Sequence, residues 1–275
     1  MKELAQLATH RLRIDWSGIH DIAYWNSPGR GIPLLYLHGL GGSKVDLAAC
    51  VQQSFLASRS IWALDFPGMG ETLYSPNNSL SMYDLVEITH SFVKQVALPR
   101  FILAGHSMGG IVGLLFARKY PELVGCFLNV EGNLSPEDCF FTKKALNMRQ
   151  LGREREYLLE FRQSMLDSDE PGFASYGANL SKNVRSFHAW YDYCHSIVDC
   201  SDNAKLMETF QTLPVARFFV YGQESRGLAY IPDLQRCGIG TWAVPGSSHF
   251  PHFSNPEAYA HLLAQLPGDV QDSLK

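Results

Sequence analysis

Three observations predict the fold class. Eight short strand-like segments alternate with helix-like ones. A glycine-flanked serine joins a buried strand to a buried helix, and a long stretch late in the chain has helical periodicity and no strand signal. Together they predict a mainly parallel α/β sheet of eight strands, flanked by helices and interrupted by an all-helical insertion. The core is expected over 1–133 and 214–275, and the inserted helical cap over 134–213.

The chain in order supports this reading. Segments 11–16 and 19–25 are rich in β-formers and flank Ser17-Gly18, so they read as an antiparallel hairpin. Ser27-Pro28-Gly29 is a turn. Segment 32–37 is a buried strand ending in His38-Gly39-Leu40-Gly41-Gly42, and 46–58 reads as a helix. Segment 60–65 is a strand ending in Asp65-Phe66-Pro67-Gly68-Met69-Gly70, which is expected to form a structural turn near the pocket. Met82, Leu85, Val86, Thr89, Phe92, Val93 and Val96 recur at three- and four-residue spacing, the pattern of an amphipathic helix that Pro99 ends. The strand entering the serine turn, its helix, and a strand at 123–130 closed by Glu131-Gly132-Asn133 come next. Ser135-Pro136-Glu137-Asp138 is a helix start, with a capping residue, a first-turn proline and acids at the positive end of the dipole. Helices are expected at 136–151, 153–167, 181–198 and 202–211. The sheet resumes at 215–221, followed by a short helix at 231–237, a strand at 240–244 and a final helix from Asn255-Pro256-Glu257.

Composition bounds the function. The chain has 275 residues, 46% of them hydrophobic, enough for a sizeable core. A net charge of −4 offers no basic footprint for nucleic acid. No apolar run approaches the roughly 18 residues of a membrane span. Segment 1–10 lacks the apolar core of a signal peptide, and 268–275 reads as a frayed polar tail. The six cysteines (50, 126, 139, 194, 200 and 237) show no C-x-x-C spacing. They are expected to be reduced thiols of a cytoplasmic protein, with neither a zinc site nor a disulfide framework.

The chemistry centres on Gly105-His106-Ser107-Met108-Gly109. This is the G-x-S-x-G pattern of a nucleophile elbow, in its strand–turn–helix context. Glycines are needed because strand and helix backbones crowd the turn, which lifts the Ser107 hydroxyl above the sheet. A serine hydroxyl needs a base within reach. His249, in the loop after the last strand, suits that role because imidazole exchanges a proton near neutral pH. His252 is expected to pack or lie at the surface, and His106 to point away from Ser107. Glycines 39, 41 and 42 lack the Lys-Ser/Thr of a P-loop, so nucleotide binding is rejected.

The insertion is rich in apolar bulk: Phe140, Phe141, Met148, Tyr157, Phe161, Met165, Tyr176, Phe187, Trp190, Tyr191 and Tyr193. Most should pack the insertion onto the sheet. Phe140, Phe141 and Tyr191, with His38 and Gly39, are taken as substrate-binding. Lys143, Lys144, Arg149, Arg153 and Arg155 read as a solvated basic helix face rather than a site for an acidic group.

Four motifs in order (His38-Gly39 with the following glycines, 65–70, the serine turn, and Gly246-x-x-His249 before Asn255-Pro256-Glu257) resemble the α/β-hydrolase superfamily. The likeness covers nearly the whole chain outside the insertion. It is nearest the esterase-like branch with a helical cap after the sixth strand. The resemblance implies Ser107 as nucleophile, His249 as base, and an oxyanion hole from the N–H groups of Met108 and Leu40. Most relatives place the acid after the seventh strand as Gly-x-x-Asp. Here that place reads Gly222-Gln223-Glu224-Ser225. Some cap-bearing relatives, including a group of haloalkane dehalogenases, use an acid after the sixth strand, where Glu131 stands. Glu131 is the first choice and Glu224 the second.

The expected activity is that of a serine-dependent hydrolase of the carboxylesterase or thioesterase kind. It would cleave an ester, thioester or similar acyl bond of a small, fairly apolar molecule, without metal or organic cofactor. A C–C bond hydrolase, lactonase or perhydrolase on the same framework is the alternative, and a low-turnover ligand receptor is another. Dehalogenase and epoxide hydrolase chemistry would need aspartate in place of Ser107.

Overall fold

The structure is a computed structural model that describes residues 7–74, 79–225 and 228–266. The expected polar tail at 268–275, and residues 1–6 of the amino-terminal segment, lie outside the described residues.

The chain forms an eight-stranded sheet. Its strands are β1 (His10–Asp15), β2 (Ile19–Ser27), β3 (Arg30–Leu37), β4 (Arg59–Leu64), β5 (Phe101–His106), β6 (Val124–Val130), β7 (Ala216–Gly222) and β8 (Gly240–Val244). They lie in the order β1-β2-β4-β3-β5-β6-β7-β8. The pairings β1–β2 and β2–β4 are antiparallel, and from β4 to β8 every pairing is parallel. β5 and β6 are buried along their whole length, because central parallel strands are covered on both faces. Alternate residues feed two cores. Phe101 and Leu103 of β5 join one apolar cluster, while Ile102 and Ala104 join the other on the opposite face.

The helices α1 (Ala48–Val51), α2 (Met82–Gln95) and α3 (Met108–Lys119) belong to the first half of the sheet. α2 starts at Ser81, whose hydroxyl and backbone exchange hydrogen bonds with Asp84, and it buries Leu85, Val86, Thr89, Phe92 and Val93. α3 is buried from Met108 to Ala117, so it reads as apolar throughout rather than amphipathic. The helix expected at 46–58 is broken. Short 3₁₀ turns at Lys44–Leu47 and Ser54–Leu56 flank α1, and Gln53 takes an extended conformation that ends the run.

Between β6 and β7 the chain is helical. A 3₁₀ turn at Pro136–Cys139 leads into α4 (Phe140–Gln150), α5 (Glu154–Leu166), α6 (Phe173–Asn183), α7 (Phe187–Asn203) and α8 (Leu206–Thr212). The helix expected at 181–198 proves to be the end of α6 and most of α7. A tertiary contact makes the break. Gly70 N donates to Asn183 O, Arg185 N donates to Gly68 O, and Met69 bridges Val184. Backbone groups spent on the turn after β4 are lost to helix propagation. α9 (Ile231–Arg236), α10 (Pro251–Ser254) and α11 (Pro256–Ala264) complete the chain. The α11 residues Tyr259 and Leu263, and Leu266 just beyond it, pack on the second core. All six cysteines are free thiols, five of them buried. None of the described helices is long and apolar enough to cross a membrane.

Candidate active site

The carboxyl ends of β3, β5, β6, β7 and β8 converge on one cavity of about 910 Å³, the usual place for a site in a parallel sheet. Ser107 follows β5 directly. Its φ of 52° is a strained value for a side-chain-bearing residue. The flanking glycines explain how the turn closes. A Cβ on Gly105 would lie 2.1 Å from Gly109 O, and one on Gly109 would lie 2.2 Å from Leu37 O. Ser107 N donates to Val130 O at 2.9 Å, which ties the turn to the end of β6.

The loop after β3 runs beside it. A Cβ on Gly39 would lie 3.2 Å from Ser107 Cβ, so this backbone passes against the serine. His38 organises the loop from beneath. Its Nε2 accepts from Phe66 N at 3.0 Å, which leaves Nδ1–H to donate to Gly39 O at 2.8 Å. Burial holds the His38 ring below its ordinary pKa, consistent with this neutral tautomer. Gly39 and Leu40 line the cavity, and Met108 is buried at the start of α3. The 65–70 turn is structural, as expected. Asp65 accepts from Lys44 N, Lys44 Nζ and Glu71 N at 2.6–2.9 Å, burying the Lys44 charge.

Glu131 follows β6 directly and is also at φ 52°. Its N–H donates to Val220 O. The carboxylate is buried. Oε1 accepts from Gly222 N at 2.8 Å, and Oε2 lies 3.5 Å from His249 Nδ1. His249 is part-exposed, with its ring in the cavity wall. Glu224 lines the same cavity, and its backbone N–H donates to Ser247 O. Ser225 stands where relatives carry aspartate, and its hydroxyl is buried with no partner among the described residues.

His106, expected to point away from Ser107, remains part of the site. Its ring lines the cavity, and Nε2 bonds His249 O at 2.8 Å. Burial, with His252 and His249 adjacent, pushes its pKa well down, so Nε2–H is the donor and the ring is neutral. His252 packs in the interior, as one of its two expected roles, and burial lowers its pKa to about 3. Asp46, absent from the sequence reading of the site, also lines the cavity. Its carboxyl accepts from Ser43 N, and burial raises its pKa to about 8.

Phe140 and Phe141 line the cavity at its exposed edge. Tyr191 and His38 do not. The Tyr191 hydroxyl donates to Glu154 O at 2.6 Å and its ring faces the Arg149 guanidinium, so it packs inside the insertion. An apolar helix residue carries no sign of which face it buries, and that misplaced Tyr191. Phe161, Phe173, Tyr176 and Phe250 line the cavity instead. The basic run stays outside. Lys143 pairs with Asp202, Arg149 with Asp192 and Arg153 with Glu156, while Lys144 and Arg155 lie over Tyr157 and Phe187. Asp46, Glu137, Asp138, Asp169 and Glu170 line the cavity, and no described lysine or arginine does. Among the described residues, no three His, Cys, Asp or Glu side chains come together to hold a metal.

A strained serine elbow and a carboxylate–imidazole pair that line one cavity of this sheet point to a hydrolase. The chain belongs to the alpha/beta hydrolase family, whose pattern residues 34–262 match. It is similar to the pimeloyl-[acyl-carrier protein] methyl ester esterase of Yersinia enterocolitica, 26% identical over 263 residues that cover 88% of this chain and 96% of that protein. Among solved structures it resembles one from a study of carboxylesterases of the thaumarchaeon Nitrososphaera gargenis, with TM-score 0.77, 14% identity, and 96% and 99% of the two chains covered. It also resembles an N-acyl homoserine lactonase complexed with N-hexanoyl homoserine, with TM-score 0.71, 17% identity, and 94% and 96% covered. At these identities the two structures speak for the fold alone.

Proposed function

We propose that the protein is a serine hydrolase that cleaves an ester or thioester bond of a small, apolar, uncharged acyl substrate. One observation carries the reading: Glu131 Oε2 stands 3.5 Å from His249 Nδ1, on the turn next to the Ser107 elbow. In the proposed reaction Ser107 Oγ attacks the acyl carbonyl while His249 Nε2 takes its proton. Glu131 holds the imidazole in the Nδ1–H tautomer and stabilises the imidazolium. The N–H groups of Met108 and Leu40 donate to the oxyanion, each contributing about 3 kcal/mol in the transition state. His249 returns the proton to the leaving group, and water then clears the acyl-enzyme by the same steps in reverse.

Glu131 is preferred to Glu224 because its carboxylate is buried, fixed by Gly222 N, and within ion-pair distance of His249. The likeness to a methyl ester esterase favours an ester bond. The substrate class follows from the cavity. Aromatic walls favour apolar groups, and acids without a described cation among the lining residues disfavour carboxylate or phosphate on the substrate.

The test is mass spectrometry after fluorophosphonate treatment of wild type, Ser107→Ala, Glu131→Gln and Glu224→Gln. Rapid labelling at Ser107, severely slowed by Glu131→Gln and little by Glu224→Gln, is expected. The reverse ranking would move the acid to the turn after β7. An unlabelled wild type would favour a ligand receptor. A panel of neutral ester, thioester, lactone and C–C substrates would then fix the bond class.

A further inference from the structure

The insertion does more than roof the cavity. A single side chain of α6 touches both loops that the proposed reaction uses. The Tyr176 hydroxyl donates to Leu40 O at 2.9 Å. Its ring stacks on Phe250, the residue after His249, with centroids 4.5 Å apart and planes 16° apart. The approach to the first loop is close. A Cβ on Gly41 would lie 2.8 Å from Tyr176 Oη and 2.4 Å from Leu180 Cδ1. The second loop is held by neighbours as well. Phe173 packs edge-on against Phe250 at 5.1 Å, and Ser248 Oγ donates to Glu170 at 2.8 Å.

We infer that Tyr176 is a positioning residue that sets the oxyanion loop and the His249 loop in register with each other. The inference rests on the serine-hydrolase reading above. Leu40 presents its N–H to the cavity only if its own backbone torsions are held. Gly41 beside it sits at φ +70°, where a glycine loop has other conformations open to it. A hydrogen bond to Leu40 O removes that freedom. The side chain is buried, and burial raises the hydroxyl's pKa, so it remains a donor across the working pH range. An amide aimed at the oxyanion acts mainly in the transition state, so its misalignment lowers kcat and leaves KM nearly unchanged. A tyrosine that only packed the insertion would lower stability and leave kcat per folded molecule intact.

Tyr176→Phe keeps the stacked ring and deletes the hydroxyl. With a neutral acyl ester, kcat should fall about tenfold and KM change by less than about twofold. Affinity for an alkylboronic acid, whose tetrahedral adduct puts an oxygen in the oxyanion position, should fall by the same factor. Phe250→Leu is the complement. It keeps the hydroxyl bond and removes the stacking, so it should shift the acid limb of the pH–rate profile with a smaller loss of boronate affinity. An active wild type whose kcat and boronate affinity survive Tyr176→Phe would overturn the inference and leave the serine-hydrolase reading standing. A kcat loss matched by the loss of folded protein in a thermal melt would also overturn it. A wild type that neither labels nor turns over would take down both.

Discussion

The turn after β5 and the turn after β6 stand side by side, and each holds a non-glycine residue at φ 52°. Ser107 and Glu131 even make similar bonds, each donating its N–H to a carbonyl near the end of the neighbouring strand, Val130 O of β6 and Val220 O of β7. They are held in that shape by different means. The elbow depends on glycines whose missing side chains let two backbones meet. The Glu131 turn depends on polar partners: Asn129 Oδ1 accepts from Gly132 N at 2.7 Å, and the Glu131 carboxylate accepts from Gly222 N. A close backbone approach leaves a local pattern in the sequence. A hydrogen-bond network among strands far apart in the chain does not.

Each half of this comparison can be broken separately. The largest effect is expected at the first turn. Ser107→Ala should lower turnover of an acyl ester by at least about 10⁴-fold without loss of fold, since the nucleophile and its partners act as one unit. Residual activity near wild type would show that the elbow only shapes the cavity. Next comes the second turn. Glu131→Gln should reduce kcat about 10²- to 10⁴-fold, while Glu224→Gln changes it by less than about threefold. If steady-state kinetics rank them the other way, the two turns do not share one reaction.

A stability experiment sharpens the contrast between backbone crowding and polar support. Gly105→Ala should cost about 3 kcal/mol or more in urea unfolding, because its Cβ meets backbone that cannot retreat. Gly132→Ala should cost somewhat less, about 2 kcal/mol, because its Cβ would meet the Asn129 side chain at 2.3 Å and backbone only from 2.7 Å, at Gly110 Cα, whereas a Cβ on Gly105 would meet backbone from 2.1 Å. Equal losses would mean that the second turn is as crowded as the first.

The smallest effect concerns pH. His252 is buried with a pKa lowered from 6.5 to about 3. Between these values the unfolded chain binds a proton that the folded chain refuses. Stability is therefore lost as pH falls through that window, and no such loss exists at pH 8. His252→Phe should raise the unfolding midpoint more at pH 5 than at pH 8. An equal gain at both would assign the effect to the two unpartnered ring nitrogens rather than to titration.

Much of the fold was legible in the sequence, for local reasons. β5 and β6 are continuous apolar runs, α2 has three- and four-residue periodicity with a capping residue, and the β8 bounds agree with the expected 240–244. The misses differ in kind. The 46–58 segment is interrupted locally, where Gln53 takes an extended conformation. At the α6–α7 break the backbone of the 68–70 turn, distant in the chain, takes hydrogen bonds that would have continued the helix.

The sequence alone determined the alternation of strands and helices, and it marked Ser107, because steric crowding at the elbow permits few residues beside the serine. Only the tertiary structure decided that Glu131 lies against His249 Nδ1, that His106 holds the His249 carbonyl, and that Tyr176 rather than Tyr191 reaches the cavity. These pairings join residues 118 to 143 positions apart. Their geometry depends on how the sheet twists and how the insertion folds back over it, which no local spacing encodes.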